Sequence, residues 1–322
     1  MSVLAQIQVP RIPVGDRIQD FFDWLTKNFE WFFDAITSVG NTVIDGLITV
    51  LQAPDPVITT LIFALIGLLV RGWRFALIAL FGLLFVISME QWDTAMQTLA
   101  LVLVATLVAV VIAVPLGVLA ARNDHASAVF KPIMDLMQTM PALVWLVPVV
   151  TMFSIGVVPG AVATIIFALP PGVRFTELGI RSVDAEVVEA AHAFGSTPRQ
   201  TLLGVQLPLA MPTIMAGINQ VIMLALSMAV IAGLVGAEGL GGQVTQALAT
   251  LNLGLGFEAG LSVVILAIYL DRVTASIGQG GGSSLGILRR TRGPSIEDDS
   301  ITEDEQELQE TAPLDLPTKI GA

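Results

Sequence analysis

Two stretches of this chain carry no charged side chain, one from Ala95 to Ala121 and the other from Pro208 to Ala237. Each exceeds the roughly 20 residues that a helix, rising 1.5 Å per residue, needs to cross the hydrocarbon core of a bilayer. Charge is scarce elsewhere too. Only 13% of the 322 residues are charged and 54% are hydrophobic, with a mean hydropathy of +0.81. A soluble domain carries about 25% charged residues to cover its surface. The sequence therefore predicts an all-α integral membrane protein, because a helix satisfies its backbone polar groups internally.

Seven apolar stretches predict about seven transmembrane helices, at 56–70, 75–89, 95–121, 133–155, 157–173, 208–235 and 257–277. The first two are short and read either as short spans or as a tight hairpin turned at Arg71–Arg74. Bases fall in alternate loops. Arg71 and Arg74 follow the first stretch, Arg122 and Lys131 the third, Arg174, Arg181 and Arg199 the fifth, and Arg272 the seventh. The intervening loops near Glu90–Asp93, Gly156–Gly160 and Glu238–Phe257 contain no Lys or Arg. Cytoplasmic loops collect Lys and Arg, so the N-terminus is expected outside and the C-terminus in the cytoplasm of a multi-pass cell-membrane protein. Trp73 and Trp92 stand at span ends, where interfacial anchors belong.

Three regions follow from composition. In residues 1–54, Ile18, Phe21, Phe22, Leu25, Phe29, Phe32, Phe33 and Ile36 recur at steps of three and four, which predicts an amphipathic helix. Such a helix lies either in the membrane interface or against the protein's own spans. Residues 55–278 hold the spans. Residues 279–322 open with a Gly-Gly-Gly-Ser-Ser linker and hold nine of the 27 acidic residues between Glu297 and Asp315, which predicts a disordered acidic cytoplasmic tail.

Several chemistries are excluded. Cysteine is absent, so disulfides, thiolate metal sites and thiol nucleophiles are too. The two histidines, His125 and His192, are far apart, and no metal site is expected. A phosphate-cradling G-x-x-x-x-G-K-[ST] loop is missing, since none of the three lysines follows a glycine. No cofactor and no enzymatic activity are expected of the chain. A net charge of −12 with no basic patch excludes nucleic-acid binding. The two clearest spans contain no ionisable residue that could relay protons, and Asp135, Glu177 and Asp271 lie near span ends, where pairing is the ordinary explanation.

The loop from Asp184 to Leu207 is the most informative. Asp184 suits a helix N-cap, with Glu186 in the first turn. Val187, Ala190, Ala191 and Phe194 form a small apolar face, Gly195 stops the helix, and Ser196 with Pro198 starts a second one. A helix–glycine–helix with a small-residue face reads either as a docking element or as an amphipathic helix on the membrane. The spacing Glu189-Ala190-Ala191, three residues, Gly195, nine residues, Val205, one residue, Leu207-Pro208 resembles the E-A-A-x3-G-x9-I-x-L-P loop of ABC-importer permeases, with Val205 for isoleucine. The strings Asp135–Pro141, Ile166–Pro171, Pro208–Gln220, Met223–Met228 and Ile265–Arg272 resemble the glycine betaine/proline betaine branch of that family.

That resemblance implies a type I importer-permease core over about residues 55–278, working as a homodimer with a separate ATP-binding ATPase subunit. A separate solute-binding protein is also implied, because the chain has no fused one. Glu189, Ala190, Ala191, Gly195, Leu207 and Pro208 become the candidate ATPase-coupling residues. Trp145, Asn219, Gln220 and Ser227 become candidate pore-lining residues. The implied substrates are compatible solutes such as glycine betaine, proline betaine or choline. A permease for another nutrient, such as an amino acid, and an ion-coupled secondary carrier stay open as alternatives. Trp145 lies between Met140-Pro141 and Pro148, and these prolines are expected to break its helix. The glycines of Gly236–Gly242 suit either an irregular re-entrant segment or an exposed loop.

Overall fold

The computed structural model describes residues 13–278, so the acidic tail expected after Gly278 lies outside the described residues. All regular elements described are helical. In chain order they are α1 (Val14–Asn28), α2 (Glu30–Gln52), α3 (Pro56–Arg71), α4 (Trp73–Ser88), α5 (Trp92–Arg122), α6 (Asp124–Thr139) and α7 (Ala142–Phe153). There follow α8 (Val157–Arg181), α9 (Ala185–Ala193), α10 (Pro198–Thr201), α11 (Leu207–Ala232), α12 (Leu240–Thr250) and α13 (Leu253–Gly278). Four continuous helical segments are long and apolar enough to cross a membrane: α5, α8, Pro198–Val235 and Leu253–Ser276. Two bent pairs, α2 with α3 and α6 with α7, pass the same test jointly, which gives up to six spans, and α4 is shorter.

Close backbone approach holds α5, α8 and α11 together. A Cβ on Gly117 would stand 2.5 Å from Thr176 Cβ, one on Gly172 2.7 Å from Ala113 Cβ, and one on Gly160 2.9 Å from Ala232 Cβ. Among lipid tails, helices gain little by burying apolar area and associate through such small-residue contacts. The pairings make α5 and α8 parallel and α11 antiparallel to both. The core around them contains Ala109, Ala168, Val221 and Ala225, with Leu83, Val102 and Leu266 completing it from α4, α5 and α13.

The two ends of the bundle differ in charge. Arg122, Lys131, Arg174, Arg181 and Arg272 gather at one end, where Arg71 Nη1 donates to the Arg272 carbonyl at 3.5 Å. At the opposite end Gln97 Nε2 donates to Glu238 at 3.0 Å, and the Leu240 N–H donates to Thr98 Oγ1 at 2.8 Å. The short apolar stretches are the antiparallel pair α3 and α4, turning at Gly72.

Three sequence expectations are corrected, and the break expected at the prolines around Trp145 is found. The periodic run from Ile18 to Ile36 is two helices broken at Phe29. Asn28 Nδ2 turns back onto the Trp24 carbonyl at 2.7 Å, a side-chain bond that competes with helix continuation. Beyond the break α2 packs on the spans: Phe33 meets Phe153 edge-on at 5.2 Å between ring centroids, and Gln52 Nε2 reaches the Asp93 carbonyl at 3.1 Å. Both partners stand at the end away from the bases, so α2 lies across that end and turns 97° into α3.

The stretch 133–155 is not one straight span but bends by 99° between α6 and α7. Pro141 forces Met140 into an extended conformation (ψ 133°), which ends α6, while Pro148 is accommodated inside α7. The loop Glu238–Phe257 contains the helix α12, and only its entry at Gly236–Gly239 is irregular. Within that entry Gly236 and Glu238 are exposed, whereas Ala237, Gly239 and Leu240 are buried; a Cβ on Gly239 would stand 2.5 Å from Thr98 Oγ1. Finally, Thr197 rather than Ser196 caps α10, through a reciprocal capping box with Gln200.

Candidate functional site

The loop Asp184–Leu207 projects from the base-rich end. Asp184 Oδ1 accepts the Glu186 N–H at 2.9 Å and starts α9. Gly195 stops it. The Ser196 N–H bonds the Ala191 carbonyl at 3.1 Å and the Gly195 N–H bonds the His192 carbonyl at 2.9 Å, the paired bonds of a Schellman turn. That turn requires a left-handed residue, and Gly195 has φ +83°. His192 Nδ1 lies 3.2 Å from the Ser196 carbonyl, across the same turn. Sequence and local geometry therefore agree on a short, firmly ended helix.

The described chain buries no residue of α9. Glu189, Ala190 and Gly195 are exposed and Ala191 is half-buried. Phe194, at the tip, is 92% exposed. A short helix that presents two alanines, a bare glycine turn and an uncovered phenylalanine offers a surface another protein can approach closely. It has no group positioned for covalent chemistry.

Leu207 and Pro208 stand apart from this surface. Leu207 packs on the cluster of Ile180, Leu202, Ala210 and Ile214 at the foot of α11. Pro208 follows a π-helical segment, Leu202–Gln206, in which the Leu207 N–H reaches back to the Leu202 carbonyl. A proline has no N–H and crowds the carbonyl four residues earlier, and the wider π turn accommodates it. These two residues join the loop Asp184–Leu207 to a span.

Behind the loop is an ion network that residue types alone did not specify. Glu177 on α8 is 8% exposed; its Oε1 accepts from Ser127 Oγ at 2.6 Å and from Arg181 Nε at 3.1 Å, with Lys131 Nζ at 4.0 Å. Arg181 Nη2 also donates to Asp124 Oδ1 at 2.7 Å and to the Ala120 carbonyl at 2.9 Å. Arg174 pairs with Asp135. All three acids noted near span ends are paired, since Asp271 accepts from Asn219 Nδ2 at 2.6 Å. The only sequence signal for the Glu177 network was the i, i+4 spacing of Glu177 and Arg181.

The four pore candidates lie on two helices, Trp145 on α7 and Asn219, Gln220 and Ser227 on α11. Trp145 Nε1 donates to the Met137 carbonyl at 3.2 Å, across the α6–α7 bend. Asn219 turns toward α13. Gln220 and Ser227 share an exposed stripe of α11, seven residues apart, and Ser227 Oγ is turned onto the Met223 carbonyl at 3.0 Å. Among the described residues no group of three His, Cys, Asp or Glu side chains is placed to hold a metal ion.

Residues 113–279 match the family described as binding-protein-dependent transport system inner membrane component. The glycine betaine transport system permease protein OpuAB of Bacillus subtilis (strain 168) is 48% identical over 270 residues, which is 84% of this chain and 96% of that protein. The glycine betaine/proline betaine transport system permease protein ProW of Escherichia coli (strain K12) is 43% identical over 293 residues, 91% of this chain and 83% of that one. Among solved structures, an inward-facing conformation of the MetNI methionine ABC transporter aligns with a TM-score of 0.52 at 26% identity, covering 56% of this chain and 91% of that one.

Proposed function

Because the chain belongs to the family of binding-protein-dependent transport system inner membrane components, we propose that it is the membrane-spanning permease subunit of an ATP-driven importer of compatible solutes, glycine betaine and proline betaine foremost. The observation that carries the substrate class is 48% identity over nearly the whole of a glycine betaine permease. Relatives whose names omit glycine betaine are more distant, such as the choline permease OpuBB of Bacillus subtilis at 34% over 54% of this chain.

ATP is bound and hydrolysed by a partner subunit, and a separate binding protein delivers the solute. Two copies of the chain form the path. The base-rich end faces the cytoplasm, by the rule that Lys and Arg collect there; α1 and α2 then lie outside and the C-terminus inside. α9 and the Gly195 turn, on the cytoplasmic side, dock in a groove of the ATPase subunit, with Glu189, Ala190, Ala191 and Gly195 in contact. ATP binding draws the ATPase pair together, α9 moves with it, and the spans alternate between outward and inward access. A betaine is net neutral, and a path without deep charges does not hold it by one end.

The test is uptake of labelled glycine betaine by proteoliposomes holding the permease, its co-purified ATPase and binding protein, with and without ATP. Uptake that requires ATP and the binding protein is expected. Uptake driven by an ion gradient without the ATPase would overturn the importer reading, and ATP-driven uptake of an amino acid in place of betaine would overturn the substrate class.

A further inference from the structure

Glu177 is a carboxylate buried at the end of a span, and its partners lie mostly on another helix. Ser127 and Lys131 belong to α6, and Arg181, which shares the carboxylate, reaches Asp124 at the start of α6. Arg174 holds Asp135 further along α6, and between these ties Met134 is buried against Leu169 and Val173 of α8 and Ala113 of α5. From Asp124 to Asp135, α6 is thus fastened to the last turns of α8. Only Ser182 and Val183 separate Arg181 from Asp184, the cap of α9. At the far end of α6, the Met137 carbonyl accepts from Trp145 across the bend at Met140–Pro141. Polar ties thus run from α8 to α6 and from α6 to α7, and α9 is joined to α8 directly through the chain at Ser182–Val183.

We propose that Glu177 and Ser127 are positioning residues that make α6 follow α8, so that displacement of the docking helix α9 reaches the bend between α6 and α7. The proposal rests on the reading of α9 as the ATPase-docking element. The chemistry suits the task. A buried carboxylate has few alternative partners, so it holds its donors in one arrangement where an exposed pair would exchange them for water. The Arg174–Asp135 pair is exposed and acts as a second, weaker tie. Continuity alone does not establish energetic coupling, so the test measures coupling directly.

The whole transporter, with its ATPase and binding protein, is reconstituted in proteoliposomes, and ATP hydrolysis and betaine uptake are read from the same vesicles. The variants are Ser127→Ala, Glu177→Gln, Asp135→Arg alone, and Asp135→Arg with Arg174→Asp. The ATPase is expected to co-purify normally in all of them. Solute moved per ATP is expected to fall about tenfold in Glu177→Gln and by less in Ser127→Ala, within the roughly 5–150-fold range of site-to-site coupling. Asp135→Arg lowers the ratio too, and the charge-swapped double variant restores it toward wild type, which loss of packing would not do. If Glu177→Gln does not reach the membrane, Ser127→Ala and the swap pair decide the question. An unchanged ratio in the assembled variants overturns the proposal, as does loss of ATPase co-purification. The docking reading fails on a different result, namely an Ala191→Asp variant that keeps its ATPase and its uptake.

Discussion

Replacing Gly195 separates the conformational demand of the proposed docking loop from its steric one. The residue sits at φ +83° in the turn that ends α9. Apart from Gly195 and its two chain neighbours, no heavy atom of the described chain lies within 4 Å of the position a Cβ would take. Within the permease, a methyl group at 195 therefore meets nothing, and its cost is purely conformational. An L-residue in the left-handed region loses about 1–2 kcal/mol relative to glycine. At 1.4 kcal/mol per factor of ten, that reduces the population of the correctly turned loop by roughly 5–30-fold wherever the Schellman bonds alone hold it. Asparagine tolerates this region better than alanine, and valine tolerates it worse. If the turn alone matters, ATPase affinity falls in the order Gly, Asn, Ala, Val. If a groove wall also approaches the glycine, asparagine is as damaging as valine despite its easier backbone. The assay is titration of the detergent-purified permease with its ATPase subunit, followed by ATP-driven uptake. Alanine and valine variants that bind and transport like wild type would refute the assignment of the turn to docking.

Ala191→Asp places a charge on the proposed docking face outside the spans; the permease is expected to insert normally while ATPase co-purification is lost, checked by pull-down from membranes. Gly117→Val forces atoms into a space where even a Cβ stands 2.5 Å from Thr176; overpacking of this kind costs about 1–3 kcal/mol, and a lower melting temperature of the solubilised permease measures it. Trp145→Phe keeps the ring but removes the bond to the Met137 carbonyl, a loss of about 1 kcal/mol that should loosen the α6–α7 bend and raise hydrogen exchange at Met140–Leu143.

Much of the local structure of the loop Asp184–Leu207 was legible because its signals are local. A cap at Asp184, a stop at Gly195 and small residues between them act within a few residues, and the spacing Glu189–Pro208 needs no tertiary information. One local detail was misread. Ser196 and Thr197 are both competent caps, and only Thr197 has a glutamine three residues on to complete the box. The pore candidates were less legible, because a side chain such as Asn219 carries no mark of whether it faces a cavity or, as here, Asp271 on a neighbouring helix.

The sequence by itself determined that this chain crosses a membrane, which end of the bundle is basic, and where α9 begins and stops. Those properties depend on the free energy of moving each residue between water and hydrocarbon, or on hydrogen bonds between near neighbours. Tertiary structure alone decided that α2 lies across one end, that the break expected near Met140–Pro141 takes an angle of 99°, and that Ser127, Glu177, Arg181 and Asp124 share one network. In a chain apolar on nearly every face, periodicity does not say which face meets which helix. That choice is made by close contacts such as Gly172 on Ala113 and by the few charges that must find a partner once they are buried.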